Sequence, residues 1–310
     1  YADASCGWSL MANSAASALA AALLKQSAVD AMFEGKRPVM GGMLAPGGTA
    51  IYKDGKYKVA GKFKFGSGTL HADWVTGGFL VSKDGVQQRY ENGEPVVRVA
   101  YVQASQVVFD DNWDVLGLRG TGSVDYAIPE AEVDEDFTFD RANPVRLRGQ
   151  AFFDLGFTGI GGAGHAAVAL GVMRRSLEEI ARIATVRKRP AYSTVLADSP
   201  LFQHEFGLQE AKFRAARALN YEVYDEIEAA LAAGVQVTQY HRDRIRQSMI
   251  HAHRIAAEVV QFCHVAGASD SLKAGSDLGR CLRDIHSATQ HIYVDPINLV
   301  DAAKSIMRAY

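Results

Sequence analysis

The run Arg283-Asp284-Ile285-His286-Ser287-Ala288-Thr289-Gln290-His291-Ile292-Tyr293-Val294-Asp295-Pro296 sets two imidazoles and the Asp284 carboxylate close together, ahead of Asp295-Pro296. Imidazole has an ordinary pKa near neutrality, so it can hold or deliver a proton where most side chains cannot. Asp295-Pro296 marks a break in the chain, because aspartate caps a helix N-terminus and proline is favoured at the first helical position. A helix must therefore end just upstream, and a helix end facing a pocket suits a histidine that acts on a ligand. On an ideal helix His286 and His291 lie about 140° apart. They face one ligand only if the helix stops before His291, which makes His291 the better candidate and turns His286 elsewhere. Their five-residue spacing is also poor for a shared metal ion.

Two further segments combine glycine, hydroxyl and aromatic residues. One is Gly61-Lys62-Phe63-Lys64-Phe65-Gly66-Ser67-Gly68-Thr69-Leu70-His71-Ala72-Asp73-Trp74, and the other is Asn112-Trp113-Asp114-Val115-Leu116-Gly117-Leu118-Arg119-Gly120-Thr121-Gly122-Ser123. Glycine lets backbone N–H groups approach a flat ligand, and hydroxyls donate to ring heteroatoms. Taken singly, each segment reads as a tight turn. The stretch Gly159-Ile160-Gly161-Gly162-Ala163-Gly164 matches G-x-G-x-x-G, but a dinucleotide fold needs a strand soon after the helix that follows. The basic turn Thr185-Val186-Arg187-Lys188-Arg189-Pro190 comes instead, so these glycines are assigned to close helix packing. No Walker, HExxH or GxSxG motif occurs. His71 reads as structural, and His251 and His253 as surface or interface residues on two sides of a helix.

These residues must be held by elements of two kinds. Residues 1–36 read as a helical segment with Leu10, Ala16, Leu23 and Ala28 on its apolar positions. Residues 37–146 switch to short strands, with a hairpin expected where Asp54-Gly55 separates Thr49–Tyr52 from Tyr57–Val59. From residue 147 the pattern is helical: His165–Val186, Glu205–Ala233, Thr238–Val265 and the run through Arg283 and His286 predict a four-helix bundle. The fold class is thus α+β multidomain: a helical segment (1–36), a small antiparallel β domain (37–146) and a C-terminal four-helix bundle (147–310). The length of 310 residues allows a full core, and a net charge of −2 gives no electrostatic case for nucleic acid as the main partner. Three scattered cysteines, Cys6, Cys263 and Cys281, point to a reducing compartment and away from a disulfide framework. Ser9–Leu24 is rich in alanine and leucine but lacks a basic flank and falls short of the roughly 20 apolar residues of a span. The chain reads as soluble and cytoplasmic.

With this order of elements, the chain resembles the acyl-CoA dehydrogenase fold. Within that fold it is similar to the two-component flavin-dependent monooxygenases, of the 4-hydroxyphenylacetate hydroxylase and dibenzothiophene monooxygenase type. The resemblance rests on Phe65–Trp74, Trp113–Ser123, Leu196-Ala197-Asp198-Ser199-Pro200, and Arg283–His291, and it covers nearly the whole chain. It implies helices upstream of Tyr1, so that the 1–36 segment is incomplete. It also implies reduced FMN or FAD delivered by a separate flavin reductase, dioxygen, and a C4a-hydroperoxyflavin that passes one oxygen atom to a small organic substrate, aromatic or polycyclic. Ser67 and His291 are then the catalytic residues beside the reactive part of the flavin. Gly66, Gly68, Trp74, Arg119 and Arg187 are its further binding residues, and no metal is involved. Trp8 and Asn13 take the substrate-facing position, and a homotetramer completes the flavin sites.

A dehydrogenase of this fold is the competing expectation. Many such enzymes carry a glutamate base near the C-terminal helix, where this chain has Tyr293-Val294-Asp295-Pro296. Glu205, Glu210 and Glu222 remain as bases that an earlier helix could supply. Aromatic hydroxylases of the group often place a histidine shortly after the N-terminal Gly-Trp, whereas Gly7-Trp8 is followed here by Ser9, Asn13 and Ser14. The substrate is therefore open among a phenol, a polycyclic or steroid ring, a natural-product heteroatom and an amino sugar. A third expectation, of another class, is a non-catalytic relative that binds flavin or nucleic acid. Arg187-Lys188-Arg189 and Arg242, Arg244 and Arg246 would serve the latter.

Overall fold

The computed structural model describes residues 1–188 and 193–310. The chain forms two compact units, one of Ser9–Asp114 and Arg119–Ile160, the other of Tyr1–Trp8, Val115–Leu118 and Gly161–Tyr310. Helix α1 (Ala4–Leu23) and α2 (Gln26–Phe33) open the chain. The strands follow as β1 (Met40–Lys53), β2 (Lys56–Phe63), β3 (Trp74–Lys83), β4 (Val86–Gln87), β5 (Val97–Gln103), β6 (Val108–Phe109), β7 (Tyr126–Asp134) and β8 (Thr138–Asp140). Their order across the sheet is β6-β7-β2-β1-β3-β5-β8, with β4 paired to β3.

The predicted hairpin is present, with Lys53 opposite Lys56 and Tyr52 opposite Tyr57. Asp54 and Gly55 both take positive φ, 49° and 80°, which is the backbone that a two-residue turn joining right-twisted strands requires. One feature differs from the antiparallel expectation: β1 and β3 run parallel, so the sheet is mixed. After β2 the chain crosses back to the far edge of β1 instead of continuing the meander, and strand alternation alone carries no sign of that crossover. Phe63 anchors one face of the sheet, stacked on Tyr126 at 5.1 Å and edge-on to Phe79 at 5.4 Å. On the other, Leu19, Leu23, Leu24 and Met32 of the two helices bury themselves against Met40, Val99 and Tyr101.

The second unit is built from α3 (Phe157–Val186, from Gly161 onward), α4 (Pro200–Ala232), α5 (Gln239–Gly267), α6 (Ser269–Leu272), α7 (Asp277–Ala288) and α8 (Ile297–Met307). Helix α5 packs against α4, α7 and α8, and its face of Ile245, Met249, Ala256, Val260 and Cys263 is fully buried. The glycine stretch behaves as packing: a Cβ on Gly162 would come within 2.5 Å of the Ile245 side chain. Starts and stops are chemically marked. Pro200 follows Ser199 at the head of α4, Thr238 and His241 form a reciprocal cap on α5, and the Ser276 hydroxyl accepts the Gly279 N–H on α7. Among the described residues, no helix is long and apolar enough to cross a membrane.

Candidate active site

In the helical unit, α7 ends at Ala288, and Thr289 caps its C-terminus. His291 then takes extended backbone, φ −72° and ψ 136°, and heads a 3-10 turn, Ile292–Val294. Its Nδ1 accepts the Tyr293 N–H at 3.2 Å. Downstream, the Asp295 carboxylate accepts the Ile297 N–H at 2.9 Å and so caps α8. The helix thus stops before His291, as facing one ligand demanded, while His286 stays on α7 and is exposed.

His291 belongs to a cluster that spacing did not reveal. Its ring lies 4.6 Å from His165 of α3 and 5.8 Å from Tyr293, and the Trp8 ring meets it edge-on at 5.4 Å. Trp8 also stands perpendicular to His165 at 4.8 Å, and His253 of α5 lies 5.9 Å from His165. His253, expected on the surface, is 1% exposed, because the apolar face of α5 that carries Met249, Ala256 and Val260 also carries residue 253. His165 is equally buried and opens the stripe Val168, Ala169, Val172 and Met173 on α3. That i, i+3, i+4, i+7, i+8 pattern reads as core, and the one polar residue on it was the available signal.

Burial sets the charge state of the cluster. Loss of solvation pushes His291 and His253 down to about 4 and His165 well below the ordinary value. The neighbouring imidazoles add to the effect on His165 and His291, and no acid opposes it. All three rings are therefore neutral at pH 7. Among the described residues no group of histidine, cysteine or acidic side chains is arranged to hold a metal ion. Glu205 and Glu222 are exposed and Glu210 pairs with Arg214 at 2.5 Å, so none of these carboxylates joins the cluster. Asp284 is buried for a different purpose: it accepts the Leu118 N–H at 2.7 Å and fixes Val115–Leu118 on α7.

In the sheet unit, the two glycine-rich segments meet. Gly66 N–H bonds the Val124 carbonyl at 2.9 Å, and Gly68 N–H reaches that of Thr121 at 3.4 Å. Three hydroxyls run in series, Ser67 to Ser123 at 2.7 Å and Ser123 to Thr121 at 2.7 Å, with Ser67 half-buried. Asn13 organises the turn from α1. Its amide nitrogen donates to the carbonyls of Met40 at 2.8 Å and Gly68 at 3.2 Å, and its oxygen faces His71 Nε2 at 3.2 Å. Gly68 needs its positive φ of 69°, and an added Cβ would run into Asn13. Trp74, half-buried at the head of β3, stacks on Phe137 at 5.5 Å. Arg119 is exposed at the start of the 3-10 turn Arg119–Thr121. Series-linked hydroxyls both give and accept hydrogen bonds, which suits the alternating donors and acceptors on the edge of a flavin ring.

Of the basic residues, Arg187 is engaged at the end of α5, where its guanidinium donates to the Gly267 carbonyl, to Asp270 at 2.5 Å and to the Ser269 hydroxyl at 2.8 Å. Arg189 lies outside the described residues. Arg246 pairs with Asp243 at 2.8 Å, and Arg244 lies near Glu222 and Glu226 at 3.6 and 3.8 Å.

The chain's similarities to known proteins follow the same lines. Residues 163–296 match the family "Acyl-CoA dehydrogenase, C-terminal domain". An indole-3-acetate monooxygenase of Pseudomonas putida is 30% identical over 306 residues, covering 97% of this chain and 75% of the relative. The flavin-dependent monooxygenase oxygenase subunit HsaA of Rhodococcus jostii is 27% identical over 262 residues, covering 81% of this chain and 66% of the relative. The solved structure of XiaF from Streptomyces sp., in complex with FADH2 and glycerol, shares the fold with a TM-score of 0.82 at 21% identity, over 97% of this chain and 76% of that one. The chain therefore belongs to the flavin-dependent monooxygenases of the acyl-CoA dehydrogenase fold, as the oxygenase component of a two-component system.

Proposed function

We propose that this oxygenase takes reduced FMN or FAD from its flavin reductase and oxygenates an aromatic substrate, with an indole-type ring as the first to test. The observation that carries this reading is the buried cluster of neutral imidazoles and aromatic rings around His291, in which, among the described residues, no carboxylate stands ready to abstract a carbon-bound proton. Reduced flavin supplies two electrons to dioxygen, so that one oxygen atom enters the substrate and the other leaves as water. Ser67, backed by Ser123 and Thr121, holds the polar edge of the ring, and Gly66 and Gly68 keep the turn that presents it. Trp74 and Arg119 add an aromatic face and a charge to that binding region. Arg187 takes part through the α5 end that it closes. His291, neutral at working pH, is held in the tautomer protonated at Nε2, since its Nδ1 already accepts a backbone proton. Trp8 walls the imidazoles off from water, which protects against loss of oxidising equivalents as hydrogen peroxide. Asn13, expected at the substrate, serves by clamping the Ser67 turn. The similarity to an indole-3-acetate monooxygenase supports the aromatic class. A cytoplasmic location and a homotetramer complete the proposal.

The test is a single turnover with chemically reduced FMN or FAD, indole-3-acetate or indole, and 18O-labelled dioxygen. We expect a hydroxylated product carrying one labelled oxygen. Label-free product, or reduction of added oxidised flavin by an acyl-CoA, would overturn the reading.

A further inference from the structure

The hydrogen-bond inventory of the histidine cluster is nearly closed, and His165 is the missing link. His253 Nδ1 lies 3.0 Å from the Met249 carbonyl, which can only accept, so Nδ1 carries the proton and Nε2 is a bare acceptor. His291 Nδ1 accepts the Tyr293 N–H, so neutral His291 carries its proton on Nε2. Between them stands His165, 1% exposed, with neither ring nitrogen hydrogen-bonded, and His253 Nε2 is unpartnered as well. A neutral imidazole brings one donor and one acceptor, and buried polar atoms in folded proteins find partners. Of the neighbouring imidazoles, His291 brings a donor at Nε2 and His253 an unpartnered acceptor at Nε2. His165 matches both.

We propose that His165 is a positioning residue: it joins His291 to His253, through an enclosed water at each link, in a one-way hydrogen-bond chain that fixes the tautomer of His291. The chain runs from Tyr293 N–H to His291, from His291 Nε2–H to His165, from the other His165 nitrogen to His253 Nε2, and from His253 Nδ1–H to the Met249 carbonyl. The rings lie 4.6 and 5.9 Å apart and neither His165 nitrogen bonds directly to its neighbours, so a water carries each link. Both ends are anchored on backbone groups, so polarity is set from outside and no ring can reverse alone. The role in oxygenation rests on the function proposed above; the chain itself does not.

The test uses protein labelled with 15N-histidine, with no flavin added, so that the readout is independent of turnover. Side-chain 15N shifts should give a single tautomer for each ring, Nε2–H for His291 and Nδ1–H for His253. In His165→Phe the His291 N–H should exchange with solvent at least tenfold faster, and in His165→Asn, which restores a donor and an acceptor, within about twofold of the parent. In turnover, His165→Phe should raise hydrogen peroxide released per product at least threefold with KM unchanged, and His165→Asn should reverse this. A mixture of His165 tautomers in the unmodified protein, or unaltered His291 exchange in His165→Phe, would overturn the chain. If the 15N result holds and no oxygenated product forms, the chain stands and the monooxygenase chemistry falls.

Discussion

At the residue scale, His291 was legible because Asp295-Pro296 forces a break, and the break frees residue 291 from the helical register of His286. His165 and His253 were not. Each sits where an apolar residue is expected, and a histidine in a core stripe carries no spacing signal until the partner helices are known. Ser67 was singled out by its flanking glycines, but its link to Ser123 joins residues 56 positions apart and needed the fold. Ser67→Ala removes one end of the hydroxyl series. Losing one hydrogen bond to a hydroxyl that can turn to Thr121 costs about 1 kcal/mol of stability, and the flavin should bind roughly three- to tenfold more weakly for the lost donor. Urea unfolding and equilibrium titration with reduced flavin under nitrogen measure the two. Unchanged flavin affinity would remove Ser67 from the ring edge. Replacing His291 with Ala should instead leave flavin affinity nearly intact and divert reducing equivalents to hydrogen peroxide, measured as peroxide per dioxygen consumed; coupling equal to that of the parent would exclude it from the chemistry.

At the element scale, helices and the Asp54-Gly55 hairpin followed from period and turn chemistry, whereas the parallel pairing of β1 with β3 did not. Strand patterning states which face is buried but not which neighbour lies alongside. The loop Val115–Leu118 shows the same limit. Its sequence reads as a glycine turn, yet Leu118 holds a positive φ of 54° because the Asp284 carboxylate takes its N–H, and Gly117 lies against the Arg283 carbonyl. A Cβ at position 117 would stand 2.1 Å from that oxygen. Gly117→Ala must push the loop off α7 or bend the helix, and overpacking of this kind costs about 1–3 kcal/mol. The expected fall in Tm is several degrees, at about 2–4 °C per kcal/mol for a domain of 150–250 residues, read by calorimetry. Gly55→Ala is the control: nothing lies near its Cβ, so only the positive φ of 80° is penalised, by about 1 kcal/mol. A Gly117→Ala effect no larger than the control would mean that the loop is not held against the helix.

At the scale of the whole molecule, composition gave little: a near-neutral chain with scattered cysteines fits many enzymes, and the family became visible only through its local motifs joined to the order of helices and strands. What the folded chain adds is a stability that depends on keeping three imidazoles uncharged. In the unfolded chain each histidine binds a proton near pH 6.5, while in the fold His253 and His291 are held down to about 4 and His165 lower still. Below pH 6.5 the unfolded state therefore binds more protons than the native state, and stability must fall as the pH falls. It is fully present above pH 7 and is lost progressively between pH 6.5 and about 4, by up to ~1.4 kcal/mol per pH unit for each histidine. The carboxylates whose pKa values are lowered, Glu178 and Asp301, titrate below 4.5 and 3.8, at or beyond the acid end of this window. The midpoint of urea unfolding should thus be flat from pH 8 to 7 and drop between 6 and 4.5, with net proton uptake on unfolding near pH 5; the buried Asp284, whose pKa burial raises, works in the opposite direction and reduces that uptake. His253→Phe should flatten that slope by about one proton. A midpoint that holds steady down to pH 5 would mean that the rings are charged or open to bulk solvent in the native protein, and with them the enclosed cluster on which the proposed oxygenation depends would be gone.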